Sequence, residues 1–187
     1  MPTTHAGKRS RLVEAAESLV HRQGFNRTTL ADIAKKAKVP LGNVYYYFKS
    51  KDEIGQALIE QRTDFYRALI TGWDELTDPR KRILSFIQMV ADNREVLTRS
   101  GCPIGSLCQE LHKEGGPLAE RASGMFAAIL TWLTEQFRLL GKKNESSGLA
   151  LHLLSALQGA SLLTHAFKDP KLIARETTRL KQWVDTV

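Results

Sequence analysis

A chain of 187 residues, 42% hydrophobic and 25% charged, has the make-up of a globular protein with room for a sizeable core. Its two cysteines are too few for a disulfide-stapled scaffold, and no apolar run approaches the roughly 18 residues that a membrane helix needs. The net charge of +7 is uneven: residues 1–55 hold ten Lys and Arg against five Asp and Glu, the remainder seventeen against fifteen. A basic first third implies a polyanionic partner, although a solubilising surface would carry the same charge. The opening stretch is basic but has no continuous apolar segment, so no signal peptide is expected and the location expected is cytoplasmic.

In chain order the pattern is helical nearly throughout. Leu12, Ala15, Ala16, Leu19 and Val20 recur at helical spacing, with Gly24 as the C-terminal stop. Thr29 and Asp32 form a capping box for "LADIAKKA", whose apolar face is Leu30, Ile33, Ala34 and Ala37. Lys38 and Val39 make a short connection to "PLGNVYYYF", with Pro40 near the first turn. Ser50 and Glu53 cap a long helix predicted to reach about Leu76. Pro79 starts a helix ending near Arg99, a short one follows in "GCPIGSLCQELHKEGG", and Pro117 starts another that Gly141 ends. Two more, within 144–167 and from Pro170 to the end, bring the total to about nine. The fold class expected is all-α, with a basic three-helix DNA-binding unit at 1–50 and a larger, nearly neutral helical body at 51–187.

Two short helices across a tight turn, buttressed by a first, make a helix-turn-helix whose second helix enters the DNA major groove. At 100° per residue, Leu41, Val44 and Phe48 share one narrow arc, expected to face the core. Tyr46 and Gly42 lie opposite with Asn43 near them, and Tyr45 and Tyr47 sit on the flanks. Three adjacent tyrosines cannot form a core stripe, which needs spacing of three or four. Here one phenol points outward and two straddle the groove rim, where their hydroxyls can reach phosphates. A tyrosine-rich protein-binding surface is the other use of such a row. Residues 41–48 contain no Arg or Lys, so base reading falls to Leu41, Asn43, Tyr46 and the close backbone approach that Gly42 permits. Phosphate neutralisation falls to cations such as Lys8, Arg9, Arg11, Arg27, Lys36, Lys38 and Lys51.

The stretch "TTLADIAKKAKVPLGNVYYYFKSKDEI" resembles the signature of the tetracycline-repressor (TetR) family. It has a Thr-capped helix, an Ile-Ala pair, a short turn, then Leu or Val, Tyr, any residue, Tyr, Phe, and a lysine before the next helix. The motif covers residues 8 to about 60; beyond them the likeness rests on length and helix count. The resemblance implies DNA contacts at Thr28, Thr29, Asn43, Tyr45, Tyr46, Tyr47 and Lys51, and two subunits related by a two-fold axis are expected to read a pseudo-palindromic duplex. Pro40 departs from the family's usual Ser or Thr cap, though its ring still fixes φ.

The resemblance also implies that the helical body binds a small-molecule effector and dimerises. Leu149, Leu153, Ala156, Leu157, Ala160 and Leu163, with Ser155, Gly159 and Ser161 beside them, suit a close helix interface, placing the homodimer contact in about 144–186. Burial within one subunit explains the same residues. For a pocket, the candidates are Phe65, Tyr66, Leu69, Trp73, Phe86, Met89, Met125, Phe126 and Trp132, because aromatics and Met line adaptable cavities and equally fill plain cores. "GCPIGSLCQEL" resembles the LmrA/YxaF-like branch, which answers to aromatic or drug-like compounds, and adds Cys102 and Cys108 to the pocket set.

Cys102 precedes Pro103 at a predicted helix start, where a thiolate is favoured, so an electrophile- or redox-sensing regulator is the alternative. At i and i+6 the two cysteines do not share a helical face. His152 and His165, thirteen apart, are too distant to share a metal, and no cofactor is expected. An enzyme tethered to DNA would need a nucleophile–base pair, a metal cluster or a phosphate loop, and the sequence offers none.

Overall fold

The computed structural model describes residues 5–187 and contains ten helices and, among those residues, no strand. They are α1 (His5–Gln23), α2 (Leu30–Ala37), α3 (Leu41–Tyr47), α4 (Lys51–Asp74), α5 (Pro79–Asp92), α6 (Arg94–Ser100), α7 (Pro103–Glu114), α8 (Pro117–Leu139), α9 (Ser146–Phe167) and α10 (Pro170–Thr186). The nine expected helices are all present, and one is broken in two. Asn93 interrupts 79–100: its backbone turns out of helical geometry at φ −89° and ψ 11°, and its side-chain amide donates to the Met89 carbonyl. A short polar side chain that satisfies a helix carbonyl in this way competes with the next turn of helix.

The boundaries follow from caps. Thr29 accepts from the Asp32 N–H while Asp32 accepts from the Thr29 N–H, so both halves of the first capping box form. The second is altered: Ser50 accepts from the Glu53 N–H, but Glu53 reaches back one residue further, to the Lys49 N–H. Asp78 and Asp169 cap α5 and α10, each with proline at the first position. Gly24 ends α1 at φ 91°.

The helices pack as two compact units. One takes the chain up to Asp64 together with Ser106–Ser123; the other takes Phe65–Gly105 and Gly124–Val187. Most of α7 and the first turns of α8 thus pack in the first unit. That unit closes over Leu12, Ala16, Ile33, Val44, Phe48, Ile54, Leu107 and Leu111, all buried. In the second, α9 and α10 pack on each other, α10 on α5, and α6 on α9. Its centre holds Ile83, Ile87, Leu133, Phe137, Leu153, Leu157 and Ile173. Arg82 closes the far end of α4 by donating to the Leu76 and Asp74 carbonyls and to Gln136 Oε1.

Candidate nucleic-acid interface

Seven residues are too short a helix to hold itself together in water, so α3 stands on its anchors. Val44 is 0% exposed and Phe48, just past the helix, is buried beside it. The Arg9 guanidinium lies 5.2 Å from the Phe48 ring centroid, which adds a cation–π contact. Leu41 departs from the arc assigned to it: it is 42% exposed, not core. Helical side chains lean toward the N-terminus, so at the first position Leu41 overhangs the helix start. Val39, two residues earlier, is buried instead.

The opposite surface is open. Tyr46 is 67% exposed and Tyr45 48%, Asn43 and Tyr47 are half-buried, and a Cβ built on Gly42 would meet nothing within 4 Å. Tyr46 and Tyr47 pack edge to face, with ring centroids 5.0 Å apart. Leu41, Gly42, Tyr45 and Tyr46 are therefore open to solvent, with Asn43 partly so, and Thr29 and Lys38 are exposed as well. Lys38 makes the tight turn before α3: it sits in the left-handed region at φ 53° and ψ 45°, with its N–H bonded to the Ala34 and Lys35 carbonyls. Thr29 hydroxyl and N–H bonds hold the Asp32 carboxyl below its usual range.

Two of the expected contacts are already engaged. Thr28 is 1% exposed, and its hydroxyl donates to the Gly24 carbonyl, so it finishes α1 rather than facing outward. Lys51 Nζ donates to the Asn26 carbonyl at 3.0 Å and lies 4.7 Å from the Phe25 ring centroid, which ties α4 to the α1–α2 loop. The same loop is gripped from α7. Glu110 accepts the Asn26 N–H at 3.0 Å, and Glu114 accepts the Asn26 side-chain amide at 3.1 Å. These residues escaped the sequence reading because they lie 84 and 88 positions from Asn26 and carry no local signal. An open cleft of about 800 Å³ runs beside them, lined among others by Phe25, Lys51, Leu111, Pro117 and Leu118.

Of the expected pocket residues, Trp73, Phe86 and Trp132 form a triangle with centroids 5.4 to 6.3 Å apart, and Trp132 Nε1 donates to Asp74. Phe65 and Tyr66 meet edge to face at 5.6 Å, with Phe65 exposed and Tyr66 half-buried. Met125 is buried; Leu69, Met89 and Phe126 are half-buried. Cys108 packs in the first unit and donates to the Ala122 carbonyl, whereas half-buried Cys102 accepts the Gly105 N–H at the start of α7. Among the described residues no group of His, Cys, Asp and Glu could hold a metal, and no helix is long and apolar enough to cross a membrane.

An all-helical chain whose second and third helices form a buttressed helix-turn-helix has the architecture of a bacterial regulator. Residues 12–58 match the family described as bacterial regulatory proteins, tetR family, and residues 79–176 match the C-terminal domain of LmrA/YxaF-like transcriptional regulators. The chain belongs to the TetR family, and its relatives are regulators rather than enzymes. It is 38% identical over 93 residues to the HTH-type transcriptional regulator TtgR of Pseudomonas putida, covering 46% of this chain and 44% of that protein. The alignment thus spans under half the length of that relative. A TetR transcriptional regulator from Legionella pneumophila superposes with a TM-score of 0.84 at 22% identity, over 100% of this chain and 98% of that one. The reduced form of NemR from E. coli superposes at 0.79 with 22% identity, over 94% and 95%.

Proposed function

We propose that the protein is a transcriptional regulator, a repressor that binds a pseudo-palindromic duplex as a homodimer and is released by a small apolar or aromatic effector. The observation that carries this is the α3 surface. Gly42, Tyr45 and Tyr46 face solvent in a row while Val44 and Phe48 fix the helix beneath them. Residues 1–50, with Lys51 at the boundary, meet the DNA, and the rest of 51–187 serves the effector and the dimer. Base reading falls to Leu41, Asn43 and Tyr46, and phosphate contact to Thr29, Lys38, Tyr45, Tyr47 and the remaining donors of Lys51. For the dimer, α9 offers Leu151, Leu162, Leu163 and Phe167, all exposed, with Ser155 and Gly159 between them. Leu153 and Leu157 are buried within the subunit, so the dimer face proposed here leaves them out. Footprinting on a duplex selected from random sequence tests the reading. Two protected half-sites about one helical turn or a multiple apart are expected; a single unsymmetric half-site held by a monomer would overturn it.

A second reading has one observation in its favour. The half-buried Cys102 thiol caps α7, so modification at sulfur would remove the acceptor that starts this helix. Loss of regulation by oxidants or electrophiles in a Cys102→Ser/Cys108→Ser variant, with effector response intact, would favour that reading.

A further inference from the structure

Asn26 is held through three of its polar groups. Its N–H goes to Glu110, its side-chain amide to Glu114, and its carbonyl accepts from Lys51 Nζ. Two helices of the first unit, α4 and α7, therefore meet on one residue of the loop that follows α1. That residue stands three positions before Thr29, the cap of α2, and α2 packs on α3. The grip has a steric condition. A Cβ at Gly24 would lie 2.8 Å from Glu110 Oε1, so a side chain there would push the carboxylate from its present place. All three bonds are solvent-exposed beside the open cleft, so they contribute little to global stability.

We propose that Asn26, Glu110 and Glu114 are positioning residues for DNA recognition: the last two turns of α7 hold the α1–α2 loop, and through it the operator-reading helices, in the binding geometry. The proposal rests on the DNA-binding reading above. It predicts the opposite sign from simple electrostatics. Removing two carboxylates from a DNA-binding unit should strengthen binding to a polyanion. Removing two acceptors that hold the loop should weaken it.

Two double variants separate these effects. Glu110→Gln/Glu114→Gln and Glu110→Ala/Glu114→Ala lose the same charge, but only the first keeps an amide oxygen for each Asn26 donor. Against the duplex selected by wild-type protein, the Gln pair is expected to bind at least as tightly as wild type. The Ala pair should bind about tenfold more weakly than the Gln pair, with the same salt slope and melting temperatures within a few degrees. A separate pair guards against misfolding of the Ala variant. Asn26→Asp keeps the loop backbone and sets a carboxylate against Glu114; it should weaken binding, and adding Glu114→Gln should restore most of the loss. Equal affinity of the Ala and Gln pairs, or no rescue of Asn26→Asp by Glu114→Gln, overturns the proposal. Failure of wild-type protein to select any duplex overturns the DNA-binding reading instead, so the two failures are distinct.

Discussion

At the scale of single residues, the recognition surface is defined as much by a missing side chain as by the aromatic ones present. Gly42 sits in a helix, where glycine costs about 1 kcal/mol relative to alanine, and nothing in the folded chain occupies the space a Cβ would take. The Gly42→Ala variant should therefore melt at a higher temperature while binding the selected duplex more weakly, because the added methyl lies on the surface proposed to meet the bases. Unchanged or tighter binding would remove Gly42 from the interface. Lys38 poses the complementary case. A lysine at φ 53° holds a conformation that glycine adopts freely and that costs other residues on the order of 1 kcal/mol. Lys38→Gly should stabilise the fold yet lower the salt slope of binding by about 1 per half-site. A salt slope identical to wild type would show that Lys38 meets no phosphate.

Among elements, what was legible in the sequence was what depends on neighbours in sequence. The Thr29–Asp32 box, the proline starts of α5 and α10, and the glycine stop of α1 are local devices, and each stands where the pattern placed it. The Asn93 break, the exposure of Leu41 and the burial of Thr28 were not legible. Helical phase alone cannot say where a helix begins relative to its partner, nor which carbonyl a hydroxyl will find. The grip of Glu110 and Glu114 on Asn26 was least legible of all, since it is set by tertiary packing across more than eighty residues. The α2 cap also yields a pH prediction. Thr29 bonds lower the Asp32 carboxyl in the folded state, so its contribution is present above the unfolded carboxylate range, near pH 3.9, and is lost as pH falls through the lower folded value. The stability difference between wild type and Asp32→Ala should be flat from pH 8 to 5 and shrink below about pH 4. A difference that grew on acidification would reverse the sign of the linkage.

For the whole molecule the question is how one short helix without arginine or lysine can hold DNA tightly enough to regulate. The answer proposed is duplication. Once one half-site is bound, the second copy faces its half-site at an effective concentration near the millimolar range, which multiplies affinity by roughly 10²–10⁴ without any new contact. In the proposed dimer that gain depends on the α9 surface, where Leu151, Leu162, Leu163 and Phe167 are exposed with the small residues Ser155 and Gly159 among them. Placing charges there, as in Leu162→Lys/Phe167→Glu, leaves the buried face of α9 untouched and should yield a folded monomer by sedimentation. The same variant should lose roughly two to four orders of magnitude in affinity for the intact duplex, protect one half-site only at high concentration, and show about half the wild-type salt slope, because half as many phosphates are neutralised per bound particle. The salt slope is the decisive reading, since misfolding would abolish binding rather than halve its ion dependence. A variant that remained dimeric would place the interface away from this face of α9. A true monomer with wild-type affinity and slope would mean that each subunit reads its operator alone.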